Sequence, residues 1–327
     1  MKTMARAVAT ALAVLTTSAL ATGSASASDT FPENSIRVVV PFGAGGATNF
    51  VARAITQIMS ANSGWDIVVE NRPGGGGNIG SAEVARAASD GYTWLVATAG
   101  IMAANEHMYA NLPFDPGADF EPIGVIGTIP NILVVSPLLD VANVEELIAL
   151  SRSGRGLTFS SSGDGTSSHL ASELLAEKTG ANFIHVPYSD AGQGHIDLLA
   201  GRIDFTINNL PGMLDFIRDG QLRGLAITST ERSELLPDIP TMQEEGVEGY
   251  SLTTWFGIVV PSGTDAAIRE AIAEQMRLAL AGDELSALFE TQGVNPGTVF
   301  LDEFGALIED ERVTWAAVIE AAGIALD

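Results

Sequence analysis

A glycine-rich turn near the start of the chain has the residue types that bind a small anion. Three glycines between positions 43 and 46 follow the strand-like run Ile36–Val40, and Thr48 or Asn49 is expected to cap the helix that comes next. Glycine lets the backbone adopt positive φ and approach a ligand closely. The unpaired amides and the dipole of a helix N-terminus attract carboxylate or phosphate. The turn therefore predicts an anion site.

A second stretch repeats this design more than a hundred residues later. Residues 157–160 are strand-like, residues 161–168 are rich in serine and glycine, and residues 169–178 have helical periodicity. Two such units would suit two lobes that direct backbone amides at one anion from opposite sides. The alternative is two ordinary α/β turns without a common ligand.

Other chemistries lack a candidate constellation. Gly75, Gly77 and Gly80 match G-x-G-x-x-G, but three residues separate them from the preceding strand, and Asp90 comes early for a ribose contact. No serine has the G-x-S-x-G flank of a hydrolase nucleophile. The paired carboxylates lie in polar segments that favour solvation over acid-base work. We therefore expect a protein that is not an enzyme and has no cofactor.

The four histidines give no metal-ligand spacing. His107, His169, His185 and His195 are scattered, and no H-E-x-x-H occurs. His169 and His185 each adjoin a loop of the expected cleft and could touch a ligand. The interpretation we favour for both is a structural hydrogen bond. We expect no metal site.

Composition limits the partners. The chain has 327 residues, 46% of them hydrophobic, no cysteine and a formal charge of −24, so burial must stabilise it and nucleic acid is an unsuitable partner. The negative charge does not exclude an anionic ligand. Exposed charges are screened over about 8 Å, whereas loop amides act at contact distance.

The N-terminus predicts export. Lys2 and Arg6 precede an apolar run over residues 7–21, and small residues at 25–27 complete a secretory signal peptide at residues 1–27. The alternative, a membrane anchor, needs about 20 apolar residues, which is longer than this run. We expect a periplasmic or otherwise extracytoplasmic protein.

Strands alternating with helices along the chain indicate an α/β fold with a mostly parallel sheet. We predict one lobe from residues 28–130 and 254–327, and a second lobe from residues 131–253. The chain would cross between the lobes twice, near residues 129–135 and 251–257, and two crossings make a hinge.

An ordered set of sequence blocks resembles one receptor family over nearly the whole mature chain. The blocks are RVVVPFGAGGATN, VVENRPGGGGNIG, DGYT, SSGDGTSSH, HVPY, NNLPGML and TWFG. They are similar to the extracytoplasmic substrate-binding receptors of tripartite tricarboxylate transporters, also called Bug or TctC-like receptors. The resemblance implies a two-lobed periplasmic-binding-protein-like fold of type II with two crossover strands.

The same resemblance implies a function. Such a receptor captures a small organic acid, which can be a dicarboxylate or tricarboxylate, an aromatic acid or an amino acid. It delivers the acid to a membrane permease with large and small subunits, and it usually works as a monomer. Two alternatives remain: an exported hydrolase of a carboxylated substrate, and a sensory binding protein without transport.

The resemblance also places ligand loops at residues 42–49 and 160–169. By this correspondence the ligand-binding residues are Phe42, Ala44, Gly45, Thr48, Asn49, Asn78 at the rim, Ser161, Ser162, Thr166, Ser167, His169 and Asn209. The sequence departs from the family pattern in three places. Asn49 replaces a common aspartate, Ser189 and Asp190 replace Lys-Gly, and Asp164 stands where a neutral residue is frequent. The uncharged Asn49 argues against capture of an amino acid's ammonium group.

Overall fold

The computed structural model describes residues 31–44, 46–154, 156–188 and 191–326. The predicted signal peptide at residues 1–27 and the site residue Gly45 lie outside the described residues. The strands are β1 (Ile36–Val40), β2 (Ile67–Asn71), β3 (Thr93–Thr98), β4 (Phe120–Val135), β5 (Leu157–Ser161), β6 (Phe183–Pro187), β7 (Phe205–Asn209), β8 (Arg223–Ile227), β9 (Thr253–Pro261) and β10 (Asn295–Pro296). The helices are α1 (Ala47–Ser63), α2 (Asn78–Ala85), α3 (Asn105–Met108), α4 (Val144–Arg152), α5 (Ser167–Thr179), α6 (Ala191–Leu199), α7 (Leu210–Arg218), α8 (Ala266–Leu280), α9 (Asp283–Glu290) and α10 (Leu301–Ala322). A π-helical segment, Gly100–Ala104, precedes α3. Among the residues that the structure describes, no helix is both long and apolar enough to cross a membrane.

Strand β4 is shared by two groups of strands. Its first part, residues 120–130, pairs with β9, and its last part, residues 131–135, pairs with β7 and β8. The strand order is β2-β1-β3-β9-β4-β7-β5-β6, with β8 and β10 also pairing with β4. We call the part built around β1–β3 the first lobe and the part built around β5–β8 the second lobe.

The sheet is mixed, whereas the alternation of elements predicted a mostly parallel one. Strands β1, β2 and β3 are parallel, as are β5, β6 and β7. Strand β9 is antiparallel to both β3 and β4, and β4 is antiparallel to β7. The difference arises at the crossover strands, because β9 returns from the second lobe and must run opposite to β4.

These directions decide where the two lobes face each other. Because β9 is antiparallel to both β3 and β4, β4 leaves the first lobe at the same edge as the carboxyl ends of β1–β3. Because β7 is antiparallel to β4, the carboxyl ends of β5 and β7 point back toward that edge. Ligands of open α/β sheets bind beyond the carboxyl ends of strands. The loops after β1 and β5 therefore meet where the chain crosses.

Apolar clusters lie on both faces of the sheet. Helix α1 buries Val51, Ile55, Ile58 and Met59, the face that sequence periodicity predicted, against β1 and α8. Complete burial of one such side chain contributes about 1.5–3 kcal/mol. The helix ends at Gly64, whose left-handed φ of 76° suits a glycine C-cap.

Helix α10 packs on both lobes. Phe304 and Ile308 join a cluster with β3 and β9 of the first lobe. Trp315, Val318 and Ile319 join a cluster that contains Leu170 and other residues of α5 in the second lobe, together with Met108 of α3. The sequence pattern predicts residues 254–327 in the first lobe and gives no sign that α10 also packs on the second.

Candidate functional site

The two predicted ligand loops follow β1 and β5 at the facing carboxyl ends of these strands. The glycine-rich turn of residues 74–77 follows β2, and the π-helical segment follows β3. Asn209, the last residue of β7, lies in the same region. The residues that follow β1, β2, β3, β5 and β7 therefore all lie near the point where the chain crosses between the lobes. The fold brings all the predicted loops to one edge of each lobe.

The first loop leads into α1 without a side-chain cap. The N-cap is Gly46, with φ −82° and ψ 168°, and the first helical hydrogen bond runs from Phe50 N to Gly46 O, 3.0 Å. The prediction that Thr48 or Asn49 caps this helix is wrong, because both residues already lie within its first turn. The amides of residues 46–49 have no acceptor in a preceding helical turn. They are available for an anion.

Asn49 belongs to a small polar network that the sequence did not reveal. Arg53 Nε donates to Asn49 Oδ1 over 3.2 Å, and an Arg53 terminal nitrogen donates to Asn71 Oδ1 over 3.3 Å. Asn71 Nδ2 in turn donates to the carbonyl of Phe42, 2.9 Å away. The network fixes the loop from the side of β2 and places one cation a turn inside α1.

The second loop is held by its own hydroxyls. Ser161 Oγ accepts from Gly163 N over 3.1 Å, and Ser168 Oγ accepts from Ser162 N over 3.1 Å. Thr166 is the N-cap of α5, but its hydroxyl donates to Gly163 O over 2.7 Å instead of capping the helix. The hydroxyls of Ser161 and Thr166 therefore shape the loop. The amides of residues 167–169 have no preceding helical acceptor.

Two histidines hold the second loop in place through hydrogen-bond contacts. The rings of His169 and His185 are stacked with centroids 3.9 Å apart, although the sequence analysis treated the histidines as scattered. His169 Nδ1 accepts from Gly165 N over 3.2 Å, and His185 Nε2 lies 2.6 Å from Ser161 Oγ. Burial, and secondarily the charge of His169, lower the pKa of His185 to about 3. At neutral pH His185 is an uncharged support.

Asp164, His169 and His185 place one potential metal-ligand atom each within 4.8 Å of one another. The orientation of the rings opposes coordination, because imidazole lone pairs lie in the ring plane and the two rings are 8° from parallel. Their lone pairs run side by side and do not converge on one ion. Both rings also have loop partners, so the group is a hydrogen-bonded support of the loop.

Asn78 is buried, only 6% exposed, and does not lie on an exposed rim. Its Oδ1 accepts from Asn105 Nδ2 over 2.6 Å. Asn105, in the segment after β3, is completely buried, and its own Oδ1 has no hydrogen-bond partner. This residue was not singled out from the sequence, since a lone asparagine in an apolar stretch gives no pattern.

Asn209 lies at the crossing of the two lobes. Its Nδ2 donates to Asn131 Oδ1 over 2.7 Å and to Thr254 Oγ1 over 3.0 Å. Asn131 belongs to β4 and Thr254 to β9, so this cluster joins both crossover strands to the end of β7. The side-chain amide of Asn209 is thus hydrogen-bonded to both crossover strands.

The predicted site residues differ in exposure. Ala44 and Ser162 are exposed, Phe42, Thr48, Asn49, Thr166, Ser167 and Asn209 are half-buried, and Asn78, Ser161 and His169 are buried. Phe42 lies next to the glycine turn, since a Cβ on Gly77 would be 3.3 Å from Phe42 Cζ. On its other side the turn meets the second loop, because a Cβ on Gly76 would be 3.0 Å from Asp164 O. The turn therefore contacts both ligand loops.

Two surface concavities lie away from these loops. One has a volume of about 460 Å³ beside the end of α10, with His107 and Glu320 in its wall. The other, of about 110 Å³, is lined by residues that include Met102 and Arg312. Neither has a helix N-terminus with free amides, so neither offers the anion chemistry of the loops.

Comparisons with known proteins point to one family. The model of the tripartite tricarboxylate transporter family receptor matches residues 51–324. Protein BugT of Bordetella pertussis is 34% identical over 300 residues, which cover 91% of this chain and 92% of BugT. The Rhodopseudomonas palustris protein MatC with bound malate has a TM-score of 0.80 and 27% identity, covering 88% of this chain and all of that chain. R. palustris Rpa4515 with adipate has a TM-score of 0.84 and 35% identity, covering 90% and 99%.

Proposed function

Because the chain belongs to the tripartite tricarboxylate transporter receptor family, we propose that it captures a small organic dicarboxylate between its lobes and delivers it to a membrane permease. The family consists of solute-binding receptors and not of enzymes, which sets aside the hydrolase alternative. The observation that carries the proposal is the placement of two helix N-termini, those of α1 and α5, at the facing carboxyl ends of β1 and β5.

The ligand class follows from the donors. Backbone amides at residues 46–49 and 167–169 suit carboxylate oxygens, and charge-assisted hydrogen bonds of this kind contribute about 1.5–3 kcal/mol each. Four or five such bonds supply the ~8 kcal/mol of micromolar affinity before ordering costs. Similar structures were solved with adipate and with malate, both of which carry two carboxylates. We propose one carboxylate for each helix N-terminus.

The boundaries that we propose for the two lobes lie in the crossover strands. We propose lobes of residues 28–130 with 254–327, and 131–253, with Asn131, Asn209 and Thr254 at the hinge. Closure would bring both loops onto the ligand and form a surface for the permease. We also propose export by the signal peptide at residues 1–27 and action as a monomer. The loop residues Ala44, Gly45, Thr48, Ser162 and Ser167 remain the proposed ligand contacts.

A thermal-shift screen tests the ligand class. Adipate, malate, citrate, benzoate and aspartate are compared with uncharged analogues, because a ligand of the folded state raises the melting temperature by mass action. The proposal predicts a shift with dicarboxylates. No shift with any of these acids would contradict it. A shift with the monocarboxylate benzoate alone would overturn the dicarboxylate assignment.

Proline substitutions test the amide donors themselves. Ala47→Pro and Ser167→Pro each delete one N–H at the first position of a helix, where proline is well tolerated. Each is expected to weaken binding about tenfold or more, the loss of one charge-assisted hydrogen bond. Ala266→Pro at the same position of α8 is the matched control and leaves affinity unchanged. Unchanged affinity in both loop variants would refute anion capture by these amides.

A further inference from the structure

The second ligand loop fits into a recess of the first lobe whose walls depend on glycine. The walls are the turn of residues 74–77, the π-helical segment and Asn105. A Cβ on Gly100 would overlap the carbonyl oxygen of Gly165, and a Cβ on Gly76 would lie 3.0 Å from the carbonyl oxygen of Asp164. Backbone therefore meets backbone across the lobes at a distance that side chains would prevent.

The second lobe contributes a matching glycine. Gly165 has a left-handed φ of 71°, and a Cβ at this position would lie 2.5 Å from Asn105 Oδ1 and 2.7 Å from Met108 Cε. Met108 belongs to the apolar cluster that also contains Leu170 of α5, so apolar burial continues from one lobe to the other beside the recess.

The buried Asn105 side chain is oriented by its partners. Its Nδ2 faces two oxygens, Asn78 Oδ1 at 2.6 Å and Gly76 O at 3.4 Å, so exchanging the amide nitrogen and oxygen would set oxygen against oxygen. Its unpartnered Oδ1 consequently faces Gly165. Tyr109, beside the same recess, has a pKa raised by burial and by the charge of Asp164.

From these contacts we infer that Gly76, Gly100 and Asn105 form a closure seat, in which Asp164 and Gly165 lodge when the lobes close. The seat adds contacts of the chain itself to those that the ligand makes, and it fixes how near the second loop comes to the first lobe. It rests on the proposed function only in assuming that the lobes open and close. The residues at this seat position the loop and need not touch the ligand.

Distance measurements between spin labels test the seat. The chain has no cysteine, so Val68→Cys and Ile196→Cys, at side chains 46% and 56% exposed, give one label on each lobe. Gly100→Ala, measured without any carboxylate, is expected to shift the distance distribution several ångströms longer than that of the labelled parent. Gly212→Ala, whose added Cβ meets open space, is the matched control and leaves the distribution unchanged.

A second variant approaches the seat from the other lobe. Gly165→Asn adds a Cβ against Asn105 with little local strain, because asparagine tolerates left-handed φ. It should lengthen the distance as Gly100→Ala does, and circular dichroism shows whether each variant is folded. Folded Gly100→Ala and Gly165→Asn proteins with the parent distribution would overturn the seat. Because no carboxylate is present, this outcome is separate from failure of the ligand screen.

Discussion

His169 and His185 are stacked under the second ligand loop with their rings 3.9 Å apart and 8° from parallel. Two imidazoles at this distance cannot both be charged without repulsion, and Phe159 stacks against His185 at 4.9 Å on the apolar side. Each histidine holds a different part of the loop, His169 through Gly165 and His185 through Ser161. The geometry of the loop thus depends on two stacked imidazoles, of which His185 is uncharged at neutral pH.

The histidine pair predicts acid sensitivity. The pKa of His185 is lowered to about 3 from 6.5, so between these values the unfolded chain binds a proton that the folded chain does not. Stability conferred by the neutral ring is therefore present above pH 6.5 and is lost as the pH falls toward 3. In calorimetry, His185→Gln should show a smaller fall in melting temperature between about pH 7 and pH 4. An identical fall in both proteins would contradict this.

Glu311 predicts the opposite dependence. Burial raises its pKa to about 7, against the opposing effect of hydrogen bonds from Trp255 and Trp315. The folded protein therefore keeps a proton that the unfolded chain releases near 4.5, and the associated stability is lost as the pH rises through 7.

Glu311→Gln tests this assignment, since glutamine can still accept from Trp255 Nε1, which lies 2.8 Å from Glu311 Oε2. Above pH 7 the variant should be more stable than the parent by on the order of 1–3 kcal/mol, and near pH 5 the two should agree. Urea unfolding at both pH values measures the difference. A constant difference at the two pH values would count against the raised pKa.

The hydrogen-bonded cluster of Asn131, Asn209 and Thr254 predicts a coupled loss of stability. Asn209→Ala removes the donor to Asn131 Oδ1 and Thr254 Oγ1, and Thr254→Val removes a hydroxyl while keeping the shape. Each should cost about 1–3 kcal/mol, and the double variant should cost less than the sum. Denaturant unfolding of all four proteins gives the coupling energy. A coupling of zero would mean that the two side chains act independently.

Asn209→Ala also separates two roles for this residue. A hinge role lowers stability and leaves the affinity of an already closed complex largely intact, whereas direct ligand contact lowers affinity in proportion to the lost bond. Calorimetric titration with the best carboxylate from the screen, compared with Thr254→Val, distinguishes these outcomes. Unchanged affinity in both variants favours the hinge role, whereas a loss of affinity confined to Asn209→Ala favours direct contact with the ligand.

An ion pair ties α10 to α3. Arg312 donates from two nitrogens to the two carboxylate oxygens of Glu106, over 2.5 and 2.8 Å, and these side chains are 25% and 19% exposed. Glu106→Gln should lower the free energy of unfolding by about 1–2 kcal/mol. The control Glu309→Gln removes an Arg312 partner that is 66% exposed and should cost less than about 0.5 kcal/mol. Equal costs would show that the paired geometry adds nothing.

Periodicity predicted most elements because each buries one face. The apolar positions of α1 are an example, since helical spacing is a local property of the sequence. Helix α7 was not predicted, because Pro211 and Gly212 are poor helix formers in isolation. Proline is nevertheless favoured in the first helical turn, where its missing N–H has no acceptor.

The sequence marked the two loops that the fold brings to one edge of each lobe, but it did not reveal their side-chain contacts. The glycine and serine patterns marked both loops, because turn chemistry is local. The pairing of His169 with His185, of Asn78 with Asn105 and of Asn49 with Arg53 depends on tertiary contacts or on where α1 begins. A single sequence contains no signal for side chains that meet only after folding.

The position of α10 limits the opening of the cleft. Phe304 and Ile308 pack on the first lobe, and Trp315 lies in a cluster that joins Met108 of the first lobe to α5 of the second, so α10 spans the boundary between the lobes as a strut. Separation of the lobes must either bend this strut between Ile308 and Trp315 or slide the second lobe along it. In the opening motion that we propose, the width of the entrance would therefore depend on how far this helix yields as well as on the flexibility of the two connecting strands.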